Sequence, residues 1–137
     1  MDNYKESFIA FMSEHDIKFT DHDERAVTLR FSSESVPGDS VRVLVIFDSD
    51  NANKVHLMSS FLTVPEGKYT QILMACNEAN SQFRWVKFYI SSQMKVVVDC
   101  DAVLDIDSAG SECTELAFRM SDIIDKAFPT FMKAIYS

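Results

Sequence analysis

Carboxylate and imidazole side chains concentrate in three stretches of this chain, and each can be tested for metal or acid–base chemistry. The first, "EHDIKFTDHDE", carries Glu14, His15, Asp16, Asp21, His22, Asp23 and Glu24. Zinc requires three or four ligands in a fixed geometry. Here the two histidines straddle an expected helix end and the carboxylates follow no ligand spacing. His15 suits the C-terminus of that helix, where the backbone dipole favours partial positive charge. The stretch therefore reads as a solvated connection. The second, "DSDNANKVHLMS", begins as calcium loops do, with Asp48 and Asp50. Ala52 then stands where an oxygen ligand is needed, Asn53 where glycine is needed, and Ser59 where the bidentate acid is needed. It reads as an Asx-rich turn. The third, "DCDAVLDID", offers Asp99, Asp101, Asp105 and Asp107. Paired carboxylates can move protons or hold a metal. They also suit the approach to a helix N-terminus, and no histidine or basic residue adjoins them in sequence. No metal or cofactor is expected.

Candidates for a nucleophile fare no better. No serine lies in a Gly-x-Ser-x-Gly elbow. Cys76, Cys100 and Cys113 lack an adjacent histidine or basic residue that would activate a thiol. Their spacing fits neither a zinc knuckle nor a redox pair. Each falls in an apolar pattern, where a free cysteine acts as a small hydrophobe. Three glycines in 137 residues leave little room for phosphate-binding loops, and none is present. The chain is expected not to be an enzyme.

One polar pair stands out because of where it falls. In "ILMACNEANSQF", Asn77 and Asn80 interrupt an apolar helical run. At about 100° per residue, Tyr69, Ile72, Leu73, Cys76 and Phe83 share one arc. Asn80 lies inside it and Asn77 borders it. Near a helix C-terminus, carbonyls lack intrahelical partners. The pair is expected to tie the helix end to the next strand by side-chain-to-backbone bonds.

The elements that position these residues follow from hydrophobic period. Tyr4, Phe8, Phe11 and Met12 predict a helix over 3–15, with Asn3 and Glu6 as a loose capping box. Alternation predicts a strand over 26–31, followed by a Pro37–Gly38 turn. Strands are expected at 41–47 and 54–63, joined by the polar 48–53 turn. Pro65 marks the entry to the second helix. Strands at 84–90 and 95–100 flank the short loop "SSQM". Cys113, Leu116, Ala117, Met120, Ile123, Ile124 and Ala127 predict a long last helix with Ser111 as N-cap. Pro129 should kink or restart it. The order α-βββ-α-ββ-α describes one α+β domain over 1–137, with an antiparallel sheet packed against helices.

Bulk properties narrow the partners. Hydrophobic residues make up 47% of the chain and the formal charge is −8. An acidic surface repels phosphates, so nucleic acid and anionic membranes are not expected partners. No apolar run approaches the roughly 18–20 residues of a membrane span, and the first residues lack the pattern of a signal peptide. Together with three unpaired cysteines, this predicts a cytoplasmic protein. The strands at 41–47 and 84–90 are apolar on both sides. Val43 and Val45 oppose Leu44 and Ile46; Phe88 opposes Trp85 and Tyr89. Helices covering both faces is the favoured arrangement. The other leaves Trp85, Tyr89, Leu44 and Ile46 for another polypeptide, with a homodimer possible.

"VPEGKYTQILMACNEANSQFRWVKFYISSQMKVVVDCD" resembles the YbjN family, whose description is that of bacterial sensory-transduction regulators. Val64-Pro65 entering a helix, Asn77-x-x-Asn80 near its end, and a strand hairpin closing on Asp99 carry the resemblance. "FMSEHDIKFT" and "IIDKAFPTFMKAIYS" extend it along the chain. The resemblance implies a fold similar to type III secretion chaperones: small, acidic α+β proteins that bind segments of other polypeptides. It implies no catalytic residues. The expected function is a non-enzymatic protein-binding or regulatory module. The alternative is a small-ligand sensor or enzyme using a cleft between helix and sheet.

Overall fold

Period-two alternation and antiparallel pairing organise the chain around one sheet. The computed structural model describes residues 4–22, 25–36, 40–48 and 53–137. Within them run α1 (Tyr4–Glu14), β1 (Phe19–Asp21), β2 (Ala26–Ser32), β3 (Ser40–Phe47) and β4 (Lys54–Thr63). They are followed by α2 (Tyr69–Gln82), β5 (Lys87–Ile90), β6 (Lys95–Val103) and α3 (Ala109–Ile135). The strands form a six-stranded antiparallel sheet in the order β1-β2-β3-β4-β6-β5. The expected α+β class and element order hold. β1 is an addition: it lies inside the acidic connection and is too short and exposed to show a hydrophobic pattern.

One sheet face carries the core. Val27, Leu29, Val43, Val45, Phe47, Val55, Leu57, Val98 and Cys100 point to it and are buried against all three helices. α1 contributes Phe8 and Met12; Phe8 meets Phe47 with ring centroids 6.0 Å apart. At the other end of the core, Phe61, Phe88 and Phe131 form an aromatic cluster at 5.3–6.0 Å that joins β4, β5 and α3. Among the described residues no helix covers the opposite face. The favoured expectation of two covered faces is corrected: the half-buried Leu44 and Ile46 owe their shielding to neighbouring strands.

Several local expectations shift. α1 ends in a Schellman motif, in which Ile17 N–H donates to Met12 O at 2.9 Å and Asp16 takes φ 55°. Asn3, the Pro37–Gly38 turn and Asp50–Ala52 lie outside the described residues. Pro65 precedes α2 by a turn: its carbonyl accepts from Lys68 N–H at 3.1 Å, with Gly67 at φ +81°. The α3 N-cap position belongs to Ser108 rather than Ser111. Glu112 accepts there from the Ser108 hydroxyl and from Asp105 N–H, so the first turn closes three residues earlier than the apolar repeat suggests. α3 also runs through Pro129 without a restart. Proline removes the donor for the Asp125 carbonyl and crowds that oxygen, while buried Phe128 and Phe131 hold the turns on either side.

Candidate functional site: the open sheet face

Residues opposite the core form the open face, and register sets their neighbours. One row crosses Thr28, Leu44, Met58, Asp99 and Lys87; the next crosses Ala26, Ile46, His56 and Asp101. A third brings Arg30 beside Arg42, and Tyr89 beside Val97. The face is therefore apolar in the middle, basic toward β1–β2 and acidic toward β6. Ala26, Leu44 and Met58 line a shallow trough of about 450 Å³ that continues to His22 and Arg42.

The acidic end is a titratable cluster invisible in linear sequence. His56 Nδ1 donates to Asp101 at 2.8 Å, while its Nε2 lies 3.5 Å from Asp99. The Tyr89 hydroxyl donates to Asp99 at 3.2 Å, and Lys87 Nζ stands 3.8 Å from the other oxygen. The Asp99 side chain is only 6% exposed, and that second oxygen accepts no hydrogen bond among the described residues. Burial first, then the Asp99 charge and hydrogen bond, raise the Tyr89 phenol above its usual pKa. The cluster can exchange protons or pair with a cation, but no activated nucleophile stands beside it. Cys100 belongs to the core face, and its thiol is pushed up to about 12 by burial, then by Asp101 and Asp99. Burial likewise lifts Cys113 to about 12 and Cys76 to about 11. Among the described residues no group of His, Cys, Asp and Glu is placed to hold a metal ion.

The four residues expected to meet a partner do not form one surface. Leu44 and Ile46 lie at the centre of the open face, and Tyr89 lies on its outer strand. Trp85 precedes β5, so strand alternation does not govern it. It packs on the core and borders a cleft with Leu116 and Ile123 of α3. The asparagines also separate. Asn80 Nδ2 donates to Phe88 O at 3.1 Å, and its Oδ1 accepts from Phe88 N–H at 2.7 Å. Asn77 is exposed. The buried arc of α2 is Ile72, Ala75, Cys76 and Ala79, leaving Tyr69, Leu73 and Asn80 on its flank. This corrects the expected phase, because small Ala75 and Ala79 mark the closest packing. Arg30 and Arg42 read in sequence only as polar positions of strands, and His56 carries no motif; only pairing across strands gives the three their neighbours.

Residues 5–131 match the family described as "Putative bacterial sensory transduction regulator", YbjN. The chain belongs to the YbjN family. No curated protein matches it in sequence. Among solved structures, this YbjN chain resembles one in the heterodimeric ExoU–SpcU complex of the type III secretion system of Pseudomonas aeruginosa. Identity there is 14%, coverage is 88% of this chain and 94% of the other, and the TM-score is 0.51. A chain of the ExsC–ExsE complex is 17% identical, with coverage of 93% and 92% and a TM-score of 0.53. At such identities the likeness concerns fold, and it agrees with the expected type III secretion chaperone-like architecture. No helix among the described residues is long and apolar enough to cross a membrane.

Proposed function

We propose that this YbjN protein is a non-enzymatic, cytoplasmic binding module that holds a segment of another polypeptide on its open sheet face. The observation that carries this reading is the apolar patch Leu44, Ile46 and Met58, left uncovered by helices among the described residues and bounded by opposite charges. Apolar contact would supply the affinity, and the Asp99–Asp101 end would steer a basic part of the segment. Both structural relatives were solved as two-protein complexes, which supports the reading by analogy of fold. Three free buried cysteines suit a reducing compartment.

Affinity capture from the native cell, with Ile46→Lys and Trp85→Ala beside the wild type, tests it. The reading expects a partner lost on Ile46→Lys with the circular dichroism spectrum intact. Retention by that variant would remove the open face from consideration, and loss on Trp85→Ala alone would move the surface to the α3 cleft. A second copy of the chain is the other occupant that the charge layout favours. A two-fold axis on this face could set Arg30 and Arg42 opposite the partner's acidic end, and light scattering would report the dimer.

A further inference from the structure

The basic end of the open face has a construction of its own. β1 pairs only with Val27–Leu29, whereas β2 continues through Ser32, so the sheet edge has a notch beyond Phe19. A surface concavity of about 800 Å³ fills it, within the range of about 300–1,000 Å³ typical of small-ligand sites. Arg30 and Arg42 stand directly opposite each other across β2 and β3 and line the notch with Lys18. Like charges so placed destabilise a sheet. Among the described residues neither guanidinium meets a carboxylate. In a chain of net charge −8, three cations line this notch, and among the described residues none of them forms an ion pair.

We propose that this notch is a binding site for a small, multiply charged anion of the phosphate type, held between Arg30 and Arg42 with Lys18 as a third cation. Guanidinium forks match phosphate oxygens two at a time, and the Ser32 and Ser40 hydroxyls beside them can donate further bonds. A single carboxylate would neutralise only one of the three cations, so the site favours a dianion or higher charge. The acidic remainder of the surface opposes this little. Charges beyond a Debye length of about 8 Å are largely screened at physiological salt, whereas direct contacts inside the notch are screened less. The anion site does not rest on the polypeptide reading, although Arg42 borders both the notch and the apolar trough.

Calorimetric titration of the full chain with pyrophosphate at low salt tests the proposal. Saturable binding is expected, weakening as salt rises, with a loss of at least about tenfold on Arg42→Gln or Arg30→Gln. Lys126→Gln, on the far side of α3, should bind as the wild type does. Because Arg42→Gln also relieves repulsion, its melting temperature should not fall, which separates lost binding from lost fold. Adenosine diphosphate as a second probe distinguishes the ligand's source. Tighter binding than pyrophosphate assigns an organic phosphate; equal or weaker binding assigns the inorganic anion. No saturable binding of either probe, or wild-type affinity in both arginine variants, overturns the site.

Discussion

Asn80 and Phe88 exchange two hydrogen bonds of the kind a neighbouring strand would make. The asparagine amide donates to the Phe88 carbonyl at 3.1 Å and accepts its N–H at 2.7 Å. β5 is one of the two edge strands, so these backbone groups would otherwise be an open edge, the usual template for aggregation. Asn80→Leu should cost about 1–3 kcal/mol, since it leaves both groups unpaired. Asn77→Leu, at a position of the same helix that makes no such bonds to a strand, should stay within about 0.5 kcal/mol. Urea unfolding of both variants checks the contrast; a neutral or stabilised Asn80→Leu would show that the bracket contributes nothing.

Asp125 does for the β2–β3 connection what Asn80 does for β5. One of its oxygens accepts from the Ser33 hydroxyl at 2.6 Å and from the Glu34 and Ser35 N–H groups at 3.1 and 3.0 Å. Led by the Ser33 hydroxyl, these bonds hold its carboxyl below the usual carboxylate range. A carboxyl whose folded pKa is depressed stabilises the protein above the unfolded value of about 3.9. That contribution is lost as pH falls through the folded value. Asp125→Asn should therefore be less stable than wild type at neutral pH, with the gap closing below about pH 4. Melting temperatures from pH 7 to pH 3 would show it, and a gap independent of pH would refute the assignment.

What could be read from the sequence divides along the reach of the interactions. Hydrophobic period located α1, β2, β3, β4 and α3 within a few residues, because each element buries a regular face of its own. It placed the buried arc of α2 too far toward Tyr69 and Leu73, since alanine carries little hydrophobic signal where helices pack closest. It assigned Trp85 to strand alternation that starts only at Lys87. The carboxylates Asp99 and Asp101 were noticed, but His56 and Lys87 reach them through strand register. The Arg30–Arg42 pair is likewise a property of register, and two arginines twelve positions apart in a chain announce nothing.

The β5–β6 turn stores strain that a substitution can release. Met94 holds φ 60°, and the turn is closed by Met94 N–H to Ser91 O at 2.9 Å and Ser91 N–H to Lys95 O at 2.8 Å. This left-handed conformation suits glycine and penalises β-branched residues most. The Met94 side chain is largely exposed, so little packing is at stake. Met94→Gly should stabilise by up to about 1 kcal/mol, and Met94→Val should destabilise by about as much or more. Thermal melts should rank the three proteins glycine, methionine, valine, and any other order would place the strain elsewhere.

Gly110 sets the distance between α1 and α3. A Cβ there would overlap the Cβ of Phe11, lie 2.9 Å from Phe11 Cγ and approach the Ser7 carbonyl oxygen at 3.1 Å. Two effects oppose each other in Gly110→Ala. Helix propensity favours alanine by about 1 kcal/mol, while overpacking costs typically about 1–3 kcal/mol. Sterics should win here, because the Ser7 oxygen belongs to helix backbone and Phe11 stacks on His15 with centroids 4.1 Å apart, so neither can swing aside freely. A net loss of about 1–2 kcal/mol is expected, and Gly110→Leu should not fold. Denaturant unfolding of Gly110→Ala decides the sign: a gain in stability would mean that α1 slides along α3 at little cost, and the close approach would then be adjustable rather than required.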